Sequence, residues 1–151
     1  MFWGAISLYG PVKLVRLKGT VNSAKYQEIL EGSILDYRIA FVEEHGRDIV
    51  FQHDNASCHV SGSMMKFFDR ERIRLLRWPA KSPDLNPIEN VWGLRKQDVA
   101  QRAPQKEVEL CRFIELSWNT RCTAEYCESL YRSILYRIDA VIVNSGARIG
   151  Y

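Results

Sequence analysis

The sequence predicts an α/β fold, a mixed sheet flanked by helices and followed by a helical C-terminal tail. Three observations carry that reading. Short β-branched and aromatic runs at 2–7, 12–17, 48–52 and 73–78 alternate with stretches whose apolar residues recur every three to four positions. From Pro104 onward the periodicity is helical throughout. The 151 residues, 46% hydrophobic and 26% charged, suit one domain with a buried core. The expected division is a sheet portion over 1–103 and C-terminal helices over 104–151.

Residues 2–7 and 12–17 read as two strands joined by Leu8-Tyr9-Gly10-Pro11, a Gly-Pro turn signal. Asn22 can cap a helix whose apolar positions Tyr26, Ile29, Leu30, Ile34, Tyr37 and Phe41 step by three and four, and Gly46 ends it. Asp48-Ile49-Val50-Phe51-Gln52 is a strand expected to be buried on at least one face, broken by Asp54-Asn55-Ala56-Ser57. Residues 60–70, with Met64, Met65, Phe67 and Phe68, form an amphipathic helix, and 73–78 is a strand stopped by Pro79. Lys81 to Pro87 is a loop. Asn86 as N-cap and Pro87 as first helical residue open a helix through Val91, Trp92, Leu94 and Val99. Val108, Cys111, Ile114 or Glu115, and Trp118 then make one helical stripe. Cys127, Leu130, Tyr131, Ile134, Ile138 and Val141 make another.

Composition excludes several classes. A net charge of +3 on an apolar-rich chain argues against disorder. The longest aliphatic run, Ala140-Val141-Ile142-Val143, falls far short of the ~20 residues a membrane span needs. No membrane partner is expected. Met1-Phe2-Trp3-Gly4 has no basic region followed by an apolar stretch, so it is not read as a secretory signal; it resembles the middle of a strand. The four cysteines, 58, 111, 122 and 127, form no Cys-x-x-Cys pair. Cys122 and Cys127 are expected on different faces of one helix, and all four as free thiols packed as small hydrophobes in a reducing compartment. Arg70, Arg72, Arg74, Arg77 and Lys81 form a basic run, followed by Arg95, Lys96 and Arg102. Such a run is either a solvated face or a phosphate-binding one.

Two acids stand out. Asp54 follows the strand 48–52, at the edge of the sheet where α/β folds bind ligands. Glu89 lies in the first turn of the helix opened by Pro87. Two hard oxygen donors converging from different elements suit Mg²⁺. Paired cations serve phosphoryl transfer, one activating the attacking oxygen and the other stabilising the leaving one. Both residues also have plain readings: Asn86-x-x-Glu89 fits a capping box, and Asp54-Asn55 fits a turn.

The blocks Gln52-His53-Asp54-Asn55-Ala56-Ser57-Cys58-His59 and Ser82-Pro83-Asp84-Leu85-Asn86-Pro87-Ile88-Glu89-Asn90-Val91-Trp92 resemble signatures of the mariner superfamily of DDE transposases. The similarity is to the branch with thirty-four residues between its second and third catalytic acids, the number that separates Asp54 from Glu89. Phe2-Trp3-Gly4-Ala5-Ile6-Ser7 looks like the family's Trp-Gly strand, and Gly19-Thr20-Val21-Asn22 with Tyr26 and Ile29-Leu30 like its next strand-to-helix junction. Trp118, Cys127, Leu130 and the ending Ala140-Val141-Ile142…Gly146…Tyr151 look like its C-terminal helices. The resemblance implies a ribonuclease H-like fold and Mg²⁺- or Mn²⁺-dependent cutting and joining of transposon DNA ends. It further implies a nuclear location and association as a homodimer. Asp54 matches the second acid and Glu89 the third, both as metal ligands.

In the family the first acid lies on a central strand preceding the Trp-Gly strand, and helix-turn-helix domains precede that. Neither has a counterpart within residues 1–151. The expectation is therefore a sheet lacking its first, central strand, with unpaired edges at 2–7 and 48–52. The isolated chain should be catalytically silent and bind DNA only non-specifically. A non-enzymatic DNA-binding or association module and a piece of a longer, active transposase are the alternatives. Ser133-Ile134-Leu135-Tyr136-Arg137 departs from the family's Ser-Met-Pro and basic pattern, which puts the local helix geometry in question. His53 and His59 are expected to hydrogen-bond or pack, Trp92 and Trp118 to lie in the core, and Arg77 and Lys81 to meet phosphates.

Overall fold

The computed structural model describes residues 1–150; Tyr151 lies outside the described residues. The chain divides into two compact units, Met1 with Leu17–Lys81, and Phe2–Arg16 with the residues from Ser82 on.

In the first unit, α1 (Ser23–Leu30), a π-helical segment (Glu31–Leu35) and α2 (Asp36–His45) form one uninterrupted helical run. Asn22 caps it as expected, its Oδ1 accepting from the Lys25 amide at 2.9 Å. Gly46, at φ 62°, ends it in the left-handed conformation that glycine tolerates. Tyr26, Ile29, Leu30 and Ile34 are buried along this run. α3 (Gly62–Arg70), capped by Ser61, buries Met64, Phe67 and Phe68 and packs on α1.

The expected strands 48–52 and 73–78 shrink to β3 (Val50–Phe51) and β4 (Arg74–Leu75), paired in parallel. Val50 is exposed while Ile49 and Phe51 on either side of it are half-buried, so one face of the strand is covered and the other open. A ladder lasts only as long as both partners stay extended. Arg38 of α2 holds Asp48 through Nε and Nη2, and the same guanidinium donates to the carbonyls of Glu71 and Arg72, fixing the turn before β4. Arg72 is itself left-handed, at φ 53°.

In the second unit, β1 (Phe2–Ser7) and β2 (Gly10–Arg16) form an antiparallel hairpin with a two-residue turn, Leu8-Tyr9. The turn is tighter than expected because Gly10 adopts φ 130° and the Ser7 hydroxyl accepts from the Tyr9 amide at 3.1 Å. Pro11 is tolerated inside β2 because the register shifts between Ala5 and Ile6. A 3-10 turn (Pro83–Leu85) leads into α4 (Pro87–Arg102), followed by α5 (Glu107–Arg121) and α6 (Ala124–Val143). Val91, Trp118, Cys122, Cys127 and Leu130 form the core, with Ile6, Leu14, Ile88 and Trp92 packed against it.

The sheet falls into two two-stranded pieces, and among the described residues neither β1 nor β3 has a second hydrogen-bonded neighbour, as expected of unpaired edges at 2–7 and 48–52. Several other expectations need correction. Cys122 and Cys127 do not share a helix. Cys122 ends α5 and Thr123 caps α6, so the thiols meet at 3.7 Å. All four cysteines are free. Arg95 leaves the basic face, being 3% exposed with its guanidinium 4.7 Å from the Trp118 ring centroid. Val108 and Ile138 are exposed, off the stripes assigned to them. α6 runs unbroken through 133–137, where Arg137 Nε donates to the Ser133 hydroxyl at 2.9 Å. No helix of the described residues is long and apolar enough to cross a membrane.

Candidate active site

Asp54 lies just beyond β3, at the carboxyl end of a parallel pair. Its Oδ1 accepts from the Ala56 amide at 3.1 Å, closing a turn, and shares a 2.6 Å hydrogen bond with His59 Nδ1. The turn reading of Asp54 holds. Asn55 Nδ2 donates to the Trp78 carbonyl at 3.0 Å and so ties the loop to the segment after β4. The Asp54 side chain remains 62% exposed.

Three rings back this loop. His59 stacks on Tyr26 with centroids 4.0 Å apart, and on His53 at 5.3 Å with planes 10° apart. Tyr26 Oη and His53 Nδ1 share a 3.1 Å hydrogen bond. Burial, with the neighbouring His59 adding to it, lowers the His53 pKa to about 4, so this ring is neutral at neutral pH. Burial also raises the Tyr26 phenol, which stays protonated. The expectation that both histidines pack and hydrogen-bond holds.

Glu89 stands exposed in the first turn of α4, with Pro87 as the first helical residue. The capping box does not form. The Glu89 amide bonds the Asn86 backbone carbonyl at 3.1 Å, while the Asn86 side chain makes no cap hydrogen bond and turns its Oδ1 into the interior without a partner. Proline at the first helical position has no amide to cap, which removes one of the donors a cap would serve.

The sequence reading missed the residue that anchors this turn. Arg137 of α6, 1% exposed, donates through Nη1 to the Asp84 carbonyl at 3.1 Å and to Asn90 Oδ1 at 2.7 Å. Asp84 Oδ2 in turn accepts from the Ile149 amide at 3.0 Å. The loop 83–87 and the start of α4 are therefore held from the C-terminal helix. The only sequence signal was the departure at 133–137.

Arg77 and Lys81 are exposed in the first unit, Lys81 at φ 56°. Arg70 is committed to Glu71 and Glu31.

As donors, Asp54 and Glu89 suit a hard divalent cation: both are exposed carboxylates, and among the described residues neither pairs with Lys or Arg. Among the described residues no group of three or more His, Cys, Asp or Glu is arranged to hold a metal.

A family model described as DDE superfamily endonuclease matches residues 2–111. The chain is similar to the Tc3 transposase of Caenorhabditis elegans, 36% identical over 153 residues, covering 100% of this chain and 45% of that protein. It is also 36% identical over 152 residues to the Tcb1 transposase of Caenorhabditis briggsae, covering 97% and 52% respectively. It thus spans about half the length of these curated relatives. Its fold is similar to that of the Mos1 transposase catalytic domain solved with raltegravir and magnesium, with a TM-score of 0.83 at 19% identity, over 95% of this chain and 73% of that one. The same domain with manganese gives 0.81 at 18% identity, over 95% and 74%. The chain belongs to the DDE superfamily endonucleases and is a homologue of Tc1/mariner transposase catalytic domains.

Proposed function

We propose that the chain is part of a mariner-type transposase catalytic domain of ribonuclease H-like fold, from the branch with thirty-four residues between its second and third acids. The observation that carries this reading is a family match over 2–111 that takes in both signature blocks, Asp54 and Glu89 among them. The ancestral chemistry is cleavage and transfer of DNA strands. Asp54 and Glu89 are the residues that would hold Mg²⁺ or Mn²⁺. When bound, such ions activate the attacking oxygen and stabilise the leaving one. The side chains themselves present hard oxygen donors from two elements, one behind β3 and one at the head of α4. Arg77 and Lys81 contribute phosphate contacts without sequence preference.

Magnesium and manganese occur in solved structures of the Mos1 catalytic domain, and Mos1 forms paired-end complexes with transposon DNA. By the same reading, this chain's ions are those two metals, its polymer partner is DNA, and it acts in the nucleus. Two copies associate, with Leu135, Tyr136, Ile142 and Val143 exposed along α6 as apolar surface for it.

The test is a titration of residues 1–151 with Mn²⁺, following the free-ion signal by electron paramagnetic resonance. Asp54→Ala and Glu89→Ala should each weaken uptake, and the double variant should abolish it. Uptake unchanged in both single variants would refute the site. Metal-dependent nicking of supercoiled DNA that persists in both single variants would likewise refute it.

A further inference from the structure

Asp54 is exposed, yet its carboxylate is not free to wander. Oδ1 receives both the Ala56 amide and His59 Nδ1, at 3.1 and 2.6 Å. The His59 ring has little freedom of its own: its side chain is 19% exposed and lies against Tyr26 and His53. Tyr26 is 1% exposed on α1, and its phenol is tied to His53. A chain of rigid contacts therefore runs from the core of the first unit through an aromatic stack to one oxygen of one carboxylate. A carboxylate held at one oxygen keeps a defined rotamer and offers its other oxygen to a ligand. Metal-binding carboxylates are commonly oriented this way, and losing the orienting partner costs about 10- to 100-fold in metal affinity.

We propose that His59 is the positioning residue of Asp54: packed against both Tyr26 and His53, it pins Oδ1 and leaves Oδ2 for the divalent cation. This inference rests on the metal reading of Asp54 given above. The contribution of His59 is orientational, so it should set affinity for the ion without setting whether the chain folds.

The experiment is the Mn²⁺ titration of residues 1–151 with His59→Ala, His59→Asn, His59→Gln and Asp54→Ala, each with a thermal unfolding curve. An asparagine amide nitrogen sits where Nδ1 does, whereas a glutamine amide reaches the Nε2 position. His59→Ala should bind Mn²⁺ roughly tenfold more weakly, His59→Asn should restore most of that, and His59→Gln should not. Wild-type affinity in His59→Ala, with Asp54→Ala impaired, overturns the positioning role and leaves the metal site standing. Wild-type affinity in Asp54→Ala, or no uptake by the wild-type chain, overturns the metal site and the positioning role with it. If His59→Ala does not unfold cooperatively, the Asn and Gln variants decide: equal affinities overturn the proposal.

Discussion

Gly4 has no side chain because two indoles already occupy the space. A Cβ there would come within 3.0 Å of Trp118 Cζ3 and of Trp92 Cη2. Both rings are packed in the second unit, Trp118 being 5% exposed, so neither can step aside cheaply. Gly4→Ala should therefore destabilise: overpacking of about 1–3 kcal/mol outweighs the ~0.4–1 kcal/mol gained by restricting the unfolded chain. Denaturant unfolding would register this as a lower midpoint. Arg137 makes the opposite kind of test, where volume is kept and polarity removed. Arg137→Met leaves the Asp84 carbonyl and Asn90 Oδ1 without their donor, at a cost of about 1–3 kcal/mol. The same variant should loosen Mn²⁺ uptake through the Glu89 turn, read in the titration described above.

Among the elements, Arg38 does for β3 and β4 what sheet length does elsewhere. Its hydrogen bonds hold the Asp48 carboxyl below the usual carboxylate range. An acid whose folded pKa is depressed adds stability above its unfolded pKa, and that stability is lost as pH falls through the folded value. Asp48→Asn should thus lower the melting temperature at neutral pH, and the gap from wild type should close in acid. Persistence of the gap below the carboxylate range would contradict this. Elements announced by adjacent residues were legible in the sequence: Asn22 caps its helix, Gly46 ends it and Pro87 starts α4, all through neighbours within a turn. Elements that depend on remote partners were not. β3 is two residues long, with Asp48 before it held by Arg38 from α2, and Asn86 does not cap because its side chain turns inward. The candidate site divides the same way. Asp54 and Glu89 were visible as motif residues, while the ring behind His59 comes from α1 and the clamp on the Glu89 turn comes from α6.

At the scale of the whole molecule, Arg72, Arg74, Arg77 and Lys81 are exposed in the first unit, and in the second Lys96 and Arg102 are exposed while Arg95 is buried. DNA affinity should therefore be weak, indifferent to sequence and steeply salt-dependent. Arg77→Ala with Lys81→Ala should flatten the slope of log affinity against log salt by about 1.8, at ~0.9 for each lost contact to duplex phosphates. Fluorescence anisotropy on two unrelated duplexes over a salt series measures both points, and a marked preference for one duplex would contradict the expectation. The second unit is also assembled from two separated stretches of chain. Tyr131 Oη donates to the Ile6 carbonyl at 3.1 Å across 125 residues. On a ribosome adding roughly 5–20 residues per second, the β1–β2 hairpin must wait between about 6 and 25 s for α6 to be synthesised. A lone two-stranded hairpin is marginal in water. During that interval, Ile6 and Leu14 present their apolar side chains to whatever meets a nascent chain first, and the contiguous Leu17–Lys81 unit can fold in the meantime.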